Sequence, residues 1–194
     1  MTKICYHKEE KMIRWIIIGV AVVLILWFVA GYNRLVRAAN KVEEAFSTMD
    51  VYLKKRFDLI PNLVETVKGY AKHESDTLDR VIAARNAAGN AKSAEERMVN
   101  EAAISGGLRN IFALAESYPE LKANENFLDL QGQLQKIEED IANSRKYYNA
   151  TVRIFNDIVM TIPTNLIASM FHFEKKPMFE VADAAERENV KVSF

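Results

Sequence analysis

Nine polar side chains fall on or beside stripes of apolar residues: Arg56, Asp58, Asn62, Glu74, Arg85, Glu116, Arg145, Asn149 and Asn156. Carboxylates and guanidinium groups in such places could hold a ligand, move protons or pair with one another. Glu74 lies seven residues after Val67 and seven before Val81, so a helical stripe passes through its charge. Arg85, four residues after Val81, shares that face. An ion facing a core is costly unless paired, so partners are expected on the facing helices. One reading is a polar site inside a bundle that binds a ligand or peptide, as a receptor or an enzyme would. The more economical reading is a network that fixes helix register and orientation. A cavity separates them. A solvent-reaching cavity lined by Glu74, Arg85 or Arg145 speaks for a receptor or enzyme, and closed packing speaks for a scaffold.

Other chemistries find little support. The three histidines are His7, His73 and His172, and adjacent His73 and Glu74 point about 100° apart on a helix, away from a shared metal. Bundle di-metal sites draw Glu-x-x-His motifs from two helices, and none occurs; no metal or other cofactor is expected. Gly106-Gly107 follows no strand, so it reads as close helix packing, not a phosphate loop or nucleophile elbow. The lone Cys5 sits in a polar leader with nothing nearby to activate it. Asn149-Ala150-Thr151 matches a glycosylation sequon but falls on a packed helical pattern. Tyr147 and Tyr148 read as packing residues with a hydroxyl handle. No catalytic residue is expected.

These residues are carried by a chain with few interruptions. Its 194 residues include only seven Gly and four Pro, a profile that favours helix over a many-stranded fold. Lys and Arg balance Asp and Glu at 26 each, so no global field attracts nucleic acid. From Trp15 to Tyr32 the sequence WIIIGVAVVLILWFVAGY holds eighteen residues without a charge. As a helix it covers about 27 Å, close to the hydrocarbon thickness of a bilayer. Trp15, Trp27 and Tyr32 lie toward its ends, where amphipathic rings favour the interface, and Arg14 and Arg34 flank it. A cleaved signal peptide would need small residues before the cut, and Phe28 spoils cleavage after Ala30. The segment reads as a retained anchor. Lys3, Lys8, Lys11 and Arg14 before it and Arg34, Arg37 and Lys41 after it leave the orientation undecided.

Beyond the anchor, Leu35, Ala39, Val42, Phe46, Met49, Leu53 and Ile60 form a heptad seam whose last gap skips Arg56. The anchor helix should therefore continue well past the membrane. Pro61 is expected to end it or to start the next, because proline is disfavoured inside a helix. A second helix follows Leu63, Val64, Val67, Ala71, Leu78, Val81 and Ile82 to an expected left-handed cap at Gly89. A third opens with a Ser93–Glu96 capping box and runs through Met98, Ala102, Leu108, Phe112 and Ala115. The fourth, about 124 to 161, carries Phe127, Leu130, Leu134, Ile137, Ile141, Ser144, Tyr148, Val152, Phe155 and Val159 at alternating steps of 3 and 4, with one extra 4. Asn124 is its candidate N-cap. Pro163 redirects the chain into a short helix, Thr164 to Met170. The expected fold class is all-α: a transmembrane helix continuing into an antiparallel bundle of long helices. The divisions are a leader at 1–14, the span at 15–32, a bundle at 33–170 and a tail at 171–194.

Several runs in this chain resemble the LemA family of bacterial membrane proteins. They are Gly31-Tyr32-Asn33-Arg34-Leu35-Val36, Lys55-Arg56-Phe57-Asp58-Leu59-Ile60-Pro61-Asn62-Leu63-Val64, Tyr70-Ala71-Lys72-His73-Glu74, Ala115 through Asn124, and Tyr147-Tyr148-Asn149. Pro163 and Phe179-Glu180 fit the family's C-terminal end, while Ile162 stands where the family often has an aromatic residue. The resemblance implies a single-pass protein of the bacterial inner membrane with its bulk in the cytoplasm and its short N-terminus outside. It implies no reaction, because the family has no established activity.

The expected function is a membrane-anchored helical scaffold or protein-interaction module without catalysis; the alternative is the receptor or enzyme described above. Its partners would be the lipid bilayer and an unidentified protein, with self-association open through the anchor or the Leu35–Leu53 seam. Membrane remodelling would need a basic amphipathic surface, which the sequence does not show. In the tail, Phe171, Phe173, Met178, Phe179 and Val181 place apolar bulk around Glu174-Lys175-Lys176-Pro177. It either folds back on the bundle or stays exposed as a docking segment.

Overall fold

The computed structural model describes the backbone of residues 2–91 and 94–179 and the side chains of 12–91 and 96–179. Ser93 of the expected capping box, the Cys5 side chain and the tail from Glu180 and Val181 onward lie outside the described residues. Among those described there are six helices and no strand: α1 (Thr2–Tyr70), α2 (Ser75–Gly89), α3 (Ala94–Ala115), α4 (Pro119–Lys122), α5 (Glu125–Met160) and α6 (Thr164–Met170). The fold is all-α, with a long apolar N-terminal helix and a packed helical bundle. The chain divides into two compact units, residues 1–42 with 153–176 and residues 43–152 with 177–194.

In the first unit, α1 is long and apolar enough to cross a membrane, and its apolar window is not buried on any face. Ile17, Val20, Val23, Leu24, Ile25 and Leu26 are all exposed, which a core helix would not allow. Where the apolar run ends, α6 packs on α1. Leu35, Ile158, Ile167 and Ala168 form a small core with Phe28, Tyr32 and Phe173 against it. Gly31 permits this approach, since a Cβ there would stand 2.5 Å from Ile167 Cδ1. α6 closes with a two-bond cap: the Phe173 amide donates to the Ala168 carbonyl and the His172 amide to that of Ser169. His172 takes the left-handed conformation that this cap requires (φ 58°). The chain is thereby turned back, and Phe173 stacks edge-on to Phe155 of α5.

The second unit holds the main core, in which Ile60, Leu63, Val67, Val81, Ile104, Leu108, Ile111, Leu121, Phe127 and Leu134 are buried. A second cluster joins Met49 and Leu53 of α1 to Ile137 and Ile141 of α5. Of the α5 seam, Phe127, Leu134, Ile137, Ile141, Tyr148, Val152 and Phe155 are buried and Leu130, Ser144 and Val159 half-buried, and Asn124 Oδ1 accepts the Phe127 amide at 2.9 Å as an N-cap. Gly107 lets α3 close on α2, where a Cβ would meet Val81 Cγ2 at 2.5 Å; at Gly106 a Cβ would meet nothing within 4 Å.

Three expectations are corrected. Pro61 does not end the first helix: α1 runs through it to Tyr70, and the break falls at residues 71–74. An internal proline deprives the carbonyl four residues earlier, here Phe57, of its donor. Arg85 Nε donates to the Phe57 carbonyl at 3.0 Å, and its guanidinium lies 3.7 Å from the Phe57 ring centre. An arginine from α2 thus replaces the missing amide. α2 does stop at Gly89, but that glycine has no positive φ; its small size matters because a Cβ would come 3.2 Å from the Phe57 ring. In α3 the buried line is Glu101, Ile104, Leu108, Ile111 and Ala115, whereas Met98, Ala102 and Phe112 lie outside the fully buried set.

Candidate functional site

The Arg56 position completes the α1 seam, because Met49, Leu53, Arg56 and Ile60 step by 4, 3 and 4. Its side chain is therefore driven into the core and is 0% exposed. There its guanidinium pairs with Glu101 of α3 and Glu138 of α5, and Nη1 donates to Ser105 Oγ at 2.7 Å. Ser105 in turn donates to Glu138 Oε2 at 2.8 Å. Arg97 pairs with Asp50 and lies 3.8 Å from Glu101. Carboxylates whose lone pairs are occupied by guanidinium donors are poor general bases, so the geometry favours structure over proton transfer.

Beside this network an open groove of ≈ 910 Å³ runs along α3 and α5. Met98, Ala102, Leu108, Phe112 and Ile141 give it an apolar floor, while Ser105, Arg109, Glu138, Arg145, Lys146 and Asn149 give it polar edges. Phe179 forms part of the wall, its ring centre 5.3 Å from the Arg145 guanidinium carbon. The Nε and Nη2 of Arg145 are buried without a hydrogen-bond partner. Those two N–H groups lie on one edge of the guanidinium, the edge that grips a carboxylate at two points. Burial, and then the neighbouring Arg56 charge, push the Arg145 pKa down, with Glu138 and Glu101 opposing. An anion entering the groove would relieve that desolvated charge.

The other predicted residues are dispersed. Asp58 is exposed and pairs with Lys54 at 3.1 Å, Asn62 is exposed, and Glu116 pairs with Lys122 on the surface. Glu74 precedes α2 and accepts the Tyr118 hydroxyl at 3.1 Å, which holds that phenol's pKa above its ordinary value. Arg85 serves Phe57. Only Arg56, Arg145 and Asn149 come to the groove or to the network behind it. Sequence reasoning missed Glu101, Glu138 and Ser105, although the 3-and-4 steps from Glu101 through Ala115 carried the signal.

The tail residues are held by asparagines one heptad apart on α5. Asn149 accepts the Phe179 amide at 2.8 Å and donates to its carbonyl at 2.9 Å; Asn156 does the same for Lys176, both at 2.9 Å. The Tyr148 hydroxyl donates to the Pro177 carbonyl at 3.1 Å and its ring stacks edge-on with Phe179. Phe173 and Met178 are half-buried, while Phe171 remains 44% exposed against Phe28 and Tyr32. Among the described residues no group of three or more His, Cys, Asp or Glu could hold a metal ion.

The sequence model of the LemA family matches residues 45–194, which contain the Arg56 network, the groove and the asparagine seats. The chain belongs to the LemA family. Protein LemA of Metamycoplasma hominis is 25% identical over 86% of this chain and 76% of its own length. Magnetosome protein MamQ 2 of Paramagnetospirillum magneticum is 23% identical over 80% of this chain, and the match spans 66% of that relative. MamQ of Magnetospirillum gryphiswaldense is 22% identical with the same coverage. Neither the LemA description nor these names carries an enzymatic activity. This LemA chain is a membrane-associated helical protein by family and by the character of α1.

Proposed function

We propose that the chain is a single-pass, membrane-anchored helical module that binds a protein partner along the α3–α5 groove and performs no catalysis. The observation that carries this reading is the solvent-reaching groove with the unpaired Arg145 edge in it. Arg145 lines this groove, the outcome expected of a receptor or enzyme and not of closed packing, while Glu74 and Arg85 are not among the groove's lining residues. The non-catalytic form is kept because Glu101 and Glu138 are held by Arg56. The apolar floor suits side-chain anchors, and the asparagine seats on α5 already hold an extended backbone. A second reading, a receptor for a small carboxylate, draws on the same Arg145 edge. Placement in the bacterial inner membrane, with the bulk in the cytoplasm, rests on family analogy. Leu35, Val42, Met49 and Leu53 are buried within the chain, so self-association would use the anchor and not that seam.

The test places a photo-crosslinking amino acid at Val99, an exposed groove residue (68%), in full-length protein in native membranes. A protein adduct that disappears with Arg145→Gln is expected. Adducts that persist unchanged in that variant, or none beyond lipid, would refute the reading. A small acid retained in native mass spectrometry without any protein adduct would favour the receptor.

A further inference from the structure

The sequence from Ile158 to Phe173 contains no Asp, Glu, Lys or Arg, a second uncharged run of sixteen residues far from the first. It is too short to span a bilayer as a helix. One of its faces is accounted for: Ile158, Ile167 and Ala168 are buried against Leu35. Much of the rest of the segment is left uncovered, apart from Phe171, whose ring also stacks on Phe28 and Tyr32. Met160, Ile162, Leu166, Met170 and Phe171 are exposed by 49, 78, 67, 62 and 44%. Leu166 and Met170, four residues apart on α6, share one face of that helix, and Ile162 lies in the turn just before it. Five large apolar side chains on one short segment make a patch that water does not favour.

Its position names what covers it. α6 packs where the uncharged run of α1 ends: Ile167 against Gly31, and Phe171 against Phe28 and Tyr32 with ring centres 6.1 and 4.6 Å apart. Phe28, Gly31 and Tyr32 all belong to the Trp15–Tyr32 stretch. On the same face of α1, one to three turns nearer the N-terminus, Val20, Leu24 and Ile25 are exposed as well, so the bare side chains of this segment adjoin the apolar surface of the span. We infer that α6 is an interfacial helix that lies in the headgroup–acyl boundary beside the anchor, with Ile162, Leu166, Met170 and Phe171 in lipid.

The backbone carbonyls at both ends of α6 are satisfied internally, while on the helix itself Asn165 Oδ1 is buried without a hydrogen-bond partner. Polar groups in a water-poor layer need internal partners. The Thr164 hydroxyl lies 2.6 Å from the Ile158 carbonyl and 2.8 Å from that of Thr161, at the bend into α6. The cap at His172 satisfies the Ala168 and Ser169 carbonyls at its other end. The exposed Lys175 follows at once, where a long cationic side chain can reach lipid phosphates. The anchor would then be a helix with a short lateral foot, and not a lone helix.

The experiment uses the full chain, Cys5→Ser, in phosphatidylcholine–phosphatidylglycerol vesicles, with an environment-sensitive fluorophore on single cysteines. Leu166→Cys and Ile162→Cys report the foot, Ile25→Cys the span, and Leu128→Cys, exposed at 49% on α5, the water reference. The expected result is blue-shifted emission at both foot positions, with at least twofold quenching by lipids carrying a nitroxide near the headgroup. Both foot positions reporting water, like Leu128, would overturn the inference. Blue shift without nitroxide quenching would overturn it too, because protein would then cover the patch. If the Ile25 probe were also unquenched by lipids carrying a nitroxide near the end of the acyl chain, the membrane anchor itself would fall, which keeps the two failures apart.

Discussion

If Arg85 serves the carbonyl orphaned by Pro61, the two residues must be energetically coupled although one only packs beside the other. The Phe57 carbonyl lacks its helical donor and receives Arg85 Nε at 3.0 Å. A buried acceptor left unsatisfied costs roughly 1–3 kcal/mol. Arg85 is half-buried and water reaches part of this site, so about 1–2 kcal/mol is the appropriate range. Arg85→Met keeps a flexible stem over the Phe57 ring and removes only the donor and charge. In the natural chain it should lower stability by that amount, a fall in Tm of roughly 2–8 °C at this chain length. In a Pro61→Ala background the restored amide takes the carbonyl, and the cost should drop to about 0.5 kcal/mol for the lost cation–ring contact. The coupling in the cycle is then about 1 kcal/mol, read by circular dichroism melting of the full chain in detergent micelles. Equal costs for Arg85→Met in both backgrounds, within about 0.4 kcal/mol, would refute the reasoning.

Two further outcomes follow from the buried polar groups. Arg56→Met strands Glu101, which is 4% exposed, and should destabilise the fold by roughly 3–5 kcal/mol; replacing Glu101 by Met as well should recover much of that loss. Thermal melts of the two variants decide it, and a single variant as stable as the natural chain would sink the network. The Tyr148 phenol is pushed above its ordinary value of 10.0 by burial, so the folded chain holds that proton more tightly than the unfolded one. The corresponding stability is present below pH 10.0 and is lost as pH rises through the folded value, and Tyr118 adds in the same direction. Tyr148→Phe should flatten part of that alkaline decline in denaturant midpoints, and an unchanged slope would contradict it.

The long elements were legible because their periodicity was undiluted. The α5 seam, its Asn124 cap and the bounds of α6 all follow from steps of 3 and 4 and from one proline. What escaped reading was compensation at a distance. Pro61 looked like a terminator because local rules hold when no other segment intervenes, and the intervening group was a guanidinium 24 residues further on. Arg56 was skipped as a gap in its seam, yet the same spacing places an acid at the head of the α3 line, and the two charges meet in the core. A buried ion is invisible to hydrophobic periodicity because its partner is chosen in three dimensions. The same blindness hid the foot. Its residues register as an ordinary short helix until the Gly31 approach sets them beside the apolar stretch of α1, where the exposed apolar side chains read as the lipid-facing surface inferred above.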